Sequence, residues 1–257
     1  MQAPDLDLLT EAALEAGKIA RGFFQENPKT WEKDAGAGPV TEADLAVNEM
    51  LEQTLRDARP DYGWLSEESA DGAERLDQTR IFTIDPIDGT RAFIEGSRSW
   101  SHSLAIVENG QPVAAVVYLP MMDKLYTAQR GKGARLNGDA MQVHPNMQVK
   151  GAKVLANKSN FRAELWQQGV PPVEQAFRSS LAYRMCLVAE GRFEAMLTLR
   201  PTWEWDIAAG LLMISEAGGK SLTRQGQKPV LNNPYPTIDG LLAGNEGLVT
   251  QLQAALA

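Results

Sequence analysis

The sequence predicts a mixed α+β and α/β fold laid out in two successive parts, and three observations carry that expectation. Apolar residues recur at helical spacing near the N-terminus, short β-rich runs crowd the stretch from Arg80 to Leu136, and strands alternate with helices beyond Pro145. We expect one compact unit over residues 1–257, with a soft boundary separating an N-terminal α+β part (1–147) from a C-terminal α/β part (148–257).

Leu6 to Gln25 places Leu9, Ala13, Ala16, Ala20, Phe23 and Phe24 at helical spacing. A polar loop follows from Glu26 to Pro39, and its segment Asp34-Ala-Gly-Ala-Gly-Pro39 predicts mobility. A second helix starts at Thr41, because Thr41-Glu-Ala-Asp44 fits a capping box, and it ends near Ala58, ahead of Pro60. Adjacent, largely antiparallel strands are expected at Ile81–Ile84, Leu104–Val107, Val113–Tyr118 and Leu125–Gln129, with turns at Glu108-Asn-Gly110 and Arg130-Gly-Lys-Gly133. Further on, Val154–Ala156 and Phe193–Leu197 read as strands. Leu181–Glu190 is a helix stopped by Gly191, and Asp206–Ala217 is a helix closed by Gly218-Gly219.

With 257 residues and 44% hydrophobic content, the chain can bury a substantial core without staples. Its single cysteine, Cys186, excludes an intramolecular disulfide and reads as a core residue of its apolar helix. The N-terminus has neither a basic start nor an apolar export stretch, so the expected location is the cytoplasm. No segment approaches the roughly 18 unbroken apolar residues of a membrane span. A formal charge of -8 argues against holding nucleic acid polymers, and a small anionic ligand would need metal ions or a local basic pocket.

The densest chemistry lies in Ile81 to Thr90, where an apolar run ends in Asp85-Pro-Ile-Asp-Gly-Thr90. The strand is expected to stop there, with Asp85 and Asp88 at its edge facing one hard cation. Gly89 lets the backbone approach a ligand, and Thr90 opens a segment whose free N–H groups face an anion. Other acids also border apolar segments: Asp44 in the first turn of its helix, Glu67 and Glu68 after Tyr62-Gly-Trp-Leu65, and Asp206 after Trp203-Glu-Trp205. If Asp44, Glu67, Asp85, Asp88 and Asp206 converge, repulsion reaches about 4 kcal/mol per close pair at an effective dielectric of about 20, which divalent cations would relieve.

Several of these acids have a structural reading as well. Asp44 completes the capping box, Asp206 fits an N-cap, and Glu67 and Glu68 fit a solvated turn, whereas Asp85 and Asp88 have no comparable structural purpose. Carboxylates favour Mg²⁺ over Zn²⁺, since the softer ligands are only His102, His144 and Cys186. His102, between Ser101 and Ser103, reads as a structural histidine, and Gly131-Lys-Gly133 as a turn.

These residues resemble the inositol monophosphatase superfamily of Mg²⁺-dependent, lithium-sensitive phosphatases. The family pattern stands here as Glu67-Glu68, Asp85–Thr90 and Trp205–Gly210, preceded by Pro39–Asp44, in the family's order. The resemblance implies a layered α-β-α-β-α sandwich, a homodimer, and two to three Mg²⁺ ions. It assigns Glu67, Asp85 and the Ile87 carbonyl to one ion, and Asp85, Asp88 and Asp206 to another. Thr90, paired with Asp44, would activate water beside Glu67 for direct in-line attack, and Asp88, Gly89 and Thr90 would receive the phosphate.

On substrate, the acidic residue that contacts sugar hydroxyls in inositol phosphatases is missing, its neighbourhood being Thr198 and Leu199. Ser179-Ser-Leu181 and Arg200-Pro-Thr202 look instead like the bacterial 3'(2'),5'-bisphosphate nucleotidases. Their substrate, a small phosphorylated metabolite, carries a second phosphate that Ser179, Ser180, Arg178, Arg184 and Arg200 could meet. Inositol 1-phosphate, another sugar phosphate or histidinol phosphate is the alternative. A haloacid-dehalogenase phosphatase is discounted because its Asp-x-Asp is here Asp-x-x-Asp, and a helix-loop-helix calcium site because Gly96 stands where its bidentate Glu belongs. A catalytically silent metal- and phosphate-binding protein is the rival of another class.

Overall fold

The computed structural model describes residues 4–33 and 38–257. Helix α1 (Asp5–Phe23) buries Leu9, Ala13, Ala16 and Ala20, then leads through an antiparallel ribbon, β1 (Thr30–Glu32) and β2 (Pro39–Thr41), into α2 (Glu42–Ala58). Thr41 caps α2 as expected, with the reciprocal bonds of a capping box. The expected loop from Glu26 to Pro39 is corrected to this ribbon: extended residues on both sides pair through backbone hydrogen bonds that no hydrophobic periodicity announces. Residues 34–37, the core of the segment expected to be mobile, lie outside the described residues.

A seven-stranded sheet follows in the order β3-β4-β5-β6-β7-β8-β9. Its strands are β3 (Gly63–Ser66), β4 (Arg80–Asp88), β5 (Ser101–Glu108), β6 (Gln111–Leu119), β7 (Lys124–Gln129), β8 (Gly133–Leu136) and β9 (Asp139–Ala140), and a short helix α3 (Thr90–Ile94) leaves β4. Neighbours are antiparallel except β3 and β4, which are parallel. The four expected strands all appear, but β4 runs through both aspartates rather than ending at Ile84.

The second, five-stranded sheet has the order β11-β10-β12-β14-β13. It comprises β10 (Lys153–Leu155), β11 (Glu174–Ala176), β12 (Ala195–Trp203), β13 (Lys220–Thr223) and β14 (Thr237–Gly244). Helices α4 (Leu181–Ala189) and α5 (Glu204–Glu216) pack between the two sheets, α1 and α2 cover the outer face of the large sheet, and α6 (Glu246–Ala254) packs on β13 and β14. The result is the expected layered α-β-α-β-α sandwich. Three apolar clusters mortar it: one under α1 and α2, one around α4 and α5 that includes Cys186, and one beneath α6.

Contact between α4 and α5 is close because Gly210 has no side chain. A Cβ there would stand 2.4 Å from Met185 Sδ and 2.6 Å from Met185 Cβ. Gly210→Val is therefore expected to destabilise the fold by about 1–3 kcal/mol through overpacking. A thermal melt checks this, and an unchanged midpoint would contradict the contact.

Candidate active site

Side chains alternate along a strand, so Asp85 and Asp88, three positions apart, would ordinarily face opposite sides. The pairing of β4 with β5 slips between them, placing Asp85 opposite Ser103 but Asp88 opposite Ser101. That one extra residue is a bulge at Pro86-Ile87, and it returns both carboxylates to one side. Pro86, without an N–H to leave unpaired, suits a bulge, and its carbonyl meets the ring Nδ1 of His102. Burial lowers the His102 pKa to about 4, which keeps the ring neutral in the structural role expected of it. Gly89 follows at φ +100°, a conformation that favours glycine, and Thr90 begins α3.

Ligand oxygens of Asp85, Asp88 and Asp206 all lie within 4.8 Å of one another. Asp206 comes from the first turn of α5 but is not its N-cap, which is Trp203. The start of α5 is held from beside it: Glu204, fully buried, accepts from the N–H groups of Asn232 (2.7 Å) and Asn233 (3.0 Å). Arg75 ties the same two asparagines down from the other side.

Asp88 docks on the N-terminus of α4. Its Oδ2 accepts from Ser180 Oγ and Ala182 N, both at 2.6 Å, and its Oδ1 accepts from Leu181 N at 3.2 Å. Asp44 does two things at once. Its Oδ2 accepts from Thr41 N at 2.9 Å within the capping box, while its Oδ1 lies 3.1 Å from Thr90 Oγ. Thr90 Oγ is also 3.1 Å from the Ile87 carbonyl, so its single proton serves one acceptor at a time. The two readings of Asp44 are therefore compatible.

Glu67 stands outside the three-acid cluster. It follows β3, its N–H donates to the Ile84 carbonyl at 3.2 Å, and Asn48 braces the turn by accepting from Ser66 Oγ and donating to Ser69 Oγ. Lys33, which sequence reasoning missed, sits 2.6 Å from both Glu67 Oε1 and Glu68 Oε1. Nothing around Lys33 in the sequence marks it, because the pairing arises only when the β1–β2 ribbon folds against the turn after β3.

The residues expected to meet substrate separate into two kinds. Ser180 is fully buried, and its hydroxyl is spent on Asp88 and on capping α4. Arg184 donates from Nε to the Arg178 carbonyl and from Nη2 to the Ser179 carbonyl while lying 4.6 Å from the centre of the Phe177 ring. Arg178 donates to the Phe177 carbonyl. Ser179 and Arg200 are exposed; the Arg200 carbonyl accepts from Thr202 Oγ1 at 3.3 Å, but its guanidinium has no hydrogen bond or ion pair among the described residues. Leu199 packs into the cluster beneath α6, so it does not face the acids.

Electrostatically the cluster is overloaded. Burial raises Asp85 well above the usual carboxylate range, and Glu67, Asp88 and Asp206 push it further. Asp206 is raised by burial, Asp88 and Glu67, with Arg200 and Arg184 opposing. Burial lifts Asp44 and Asp88 each to about 6, against hydrogen bonds that hold them down, and lifts Glu68 to about 7 with help from Glu67. Asp85 Oδ1 is buried and accepts no hydrogen bond, an arrangement that suits a hard cation.

A bulged strand end that gathers three acids beside a threonine–aspartate pair, inside a five-layer sandwich, defines a metal-dependent phosphoric monoester hydrolase. The sequence matches the inositol monophosphatase family over residues 1–257, and the chain belongs to that family. It is 32% identical to the inositol-1-monophosphatase of Mesorhizobium japonicum over 98% of this chain and 95% of that one. It is 33% identical to the 3'(2'),5'-bisphosphate nucleotidase CysQ of Escherichia coli, over 89% and 94% respectively. The crystal structure of the extragenic suppressor protein suhB from Bartonella henselae superposes with a TM-score of 0.80 at 28% identity, covering 97% of this chain and 96% of that one. Among the described residues no helix is long and apolar enough to cross a membrane.

A carboxyl raised by folding keeps its proton longer in the folded chain, so its stabilising contribution is present at low pH and lost as pH rises through the raised value. His102 acts oppositely, its contribution being lost as pH falls from about 6.5 toward about 4. Above about pH 6.5 only the carboxyls count. Without divalent ions, the thermal midpoint is expected to fall by roughly 2–4 °C or more from about pH 6.5 to about pH 8, and millimolar Mg²⁺ should remove that fall. A midpoint that rises across this window without metal would contradict the arrangement.

Proposed function

We propose that the chain hydrolyses a small phosphomonoester that carries a second anionic group, with a 3'(2'),5'-bisphosphate nucleotide as the best candidate. The observation that supports a hydrolytic centre is the Asp85, Asp88 and Asp206 cluster beside the Thr90–Asp44 pair. Asp85, Asp88 and Asp206 would hold a divalent cation, Mg²⁺ by the hardness of the donors, with Glu67 and the Ile87 carbonyl completing a second site. When bound, such ions supply Lewis acidity and offset the charge on phosphate and the leaving oxygen.

The chain's own part is positioning. Asp44 takes the Thr90 hydroxyl proton in a hydrogen bond, which leaves the Thr90 oxygen as an acceptor that orients water and draws on its proton. Glu67 flanks the same space. The N–H groups at the start of α3, from Gly89 and Thr90, have no helical partners and suit a phosphate oxygen. Water oxygen bonds to phosphorus as the ester P–O bond breaks, the leaving oxygen is protonated, and inorganic phosphate departs.

For substrate class the carrying observation is Arg200, exposed and unpaired among the described residues while its charge acts on Asp206. Arg184, fixed by backbone carbonyls, adds positive field near Asp88 and Asp206. An anionic group set off from the scissile phosphate would meet that field. Inositol 1-phosphate is the second reading, favoured by the Mesorhizobium relative.

The Asp206 carboxylate accepts no hydrogen bond among the described residues, so Asp206→Asn isolates its charge. The variant is expected to lose Mg²⁺-dependent turnover by about 100-fold or more while the metal-free thermal midpoint holds or rises, since a buried repulsion is removed. Near-normal turnover would contradict the ligand set. In a substrate panel at fixed Mg²⁺, with and without lithium, adenosine 3',5'-bisphosphate should lead inositol 1-phosphate, fructose 1,6-bisphosphate and histidinol phosphate, and lithium should inhibit. Arg200→Ala should raise KM for the bisphosphate by about 10-fold and leave that for a singly charged monoester little changed. Equal effects on both would remove the second-anion reading.

A further inference from the structure

Helix α5 carries Asp206 at one end and reaches a separate cavity at the other. From Asp206 to Ser215 the helix rises about 14 Å, so the two places are distinct. The cavity has a volume of about 440 Å³, within the range of small-molecule sites. Its apolar wall includes Leu211, Leu222 and Pro229.

The charge at its rim runs against that of the chain. The protein as a whole is formally -8, yet Arg130, Lys220 and Lys228 line this cavity against a single carboxylate, Glu216. Glu216 is already engaged, accepting from Gly131 N at 2.9 Å and Gly133 N at 2.8 Å. Arg130 is held on the carbonyls of Gln111 and Pro112 and pairs with Glu108 at 3.7 Å, and Lys220 pairs with Glu246 at 2.8 Å, so both are partly neutralised. Lys228 has no hydrogen bond or ion pair among the described residues. In the wall, the Ser221 hydroxyl is buried with no hydrogen-bond partner, an arrangement that leaves a donor wanting an acceptor.

We propose that this cavity is a second binding site, for a small amphipathic anion: an apolar or aromatic body against Leu211 and Leu222, and an anionic group at Lys228 with Arg130 and Lys220 behind it. The site is separate from the phosphatase reading, and its test reads binding without turnover. The probe is 1-anilinonaphthalene-8-sulfonate, which joins an aromatic body to one sulfonate, titrated by fluorescence into the intact chain.

One saturable site is expected, and excess inorganic phosphate with Mg²⁺ should not displace the dye. Lys228→Glu, an exposed substitution, should weaken binding by about 10-fold, and Ser215→Trp should abolish it by filling the cavity. Both variants should keep their Mg²⁺-dependent turnover. Unsaturable binding, displacement by phosphate with Mg²⁺, or unchanged affinity in Lys228→Glu would overturn the proposal, and the last holds even if Ser215→Trp fails to fold.

Discussion

Everything at this site follows from like charges gathered out of water. Two carboxylates about 4 Å apart repel by about 4 kcal/mol at an effective dielectric of about 20. Asp85, Asp88 and Asp206, with ligand oxygens all within 4.8 Å of one another, approach that regime, and Glu67 and Asp44 add to the field. A fold that builds this must supply positive charge or donors, and the surrounding elements do so unevenly. The N-terminus of α4 gives Asp88 three donors, Thr41 and Thr90 serve Asp44, and Lys33 sits between Glu67 and Glu68. The Asp85 and Asp206 carboxylates receive no hydrogen bond among the described residues. The unmet charge is thus concentrated on the two acids that flank Asp88, which is where a divalent cation gives most relief.

The layers around the site are arranged to hold that tension. The five acids enter from four places: Asp44 from α2, Glu67 from beyond β3, Asp85 and Asp88 from β4, Asp206 from α5. Helix α5 lies between both sheets and is pinned at its start through Glu204, Asn232, Asn233 and Arg75, so Asp206 cannot retreat from Asp88 without breaking that buried network. Asp88 in turn is the joint between β4 and α4. Repulsion is contained because each acid is anchored by packing remote from the charges it faces.

Much of this was legible in the sequence, and the limits are physical. The acids are readable because each borders an apolar segment, a pattern that places a carboxylate where buried structure meets a cleft. The capping box at Thr41 was readable because it is local chemistry within four residues. The bulge at Pro86-Ile87 was not, because register depends on β5, and a proline in a strand signals irregularity without fixing its kind. Parallel pairing of β3 with β4 and the strands β13 and β14 likewise depend on distant partners. Lys33, Arg75 and Glu204 act through residues far away in sequence, so no spacing reveals them.

The arginines show how structure refines chemistry that composition only permits. Arg178, Arg184 and Arg200 looked equivalent as sources of positive charge. In the fold, Arg178 and Arg184 donate to the carbonyls of residues 177–179, so they shape the loop leading into α4 and contribute field rather than free donors. Arg184 is placed by this to steady the loop whose Ser180 holds Asp88, linking that loop to the acid cluster. Arg200 lies at the irregular pairing of β12 with β14, beside the register shift between Thr198 and Pro201, and keeps an unpaired guanidinium among the described residues. A second bulge thus accompanies the cation as the first accompanies the acids: at this interruption in the sheet Arg200 is exposed while its neighbour, Leu199, stays in the core.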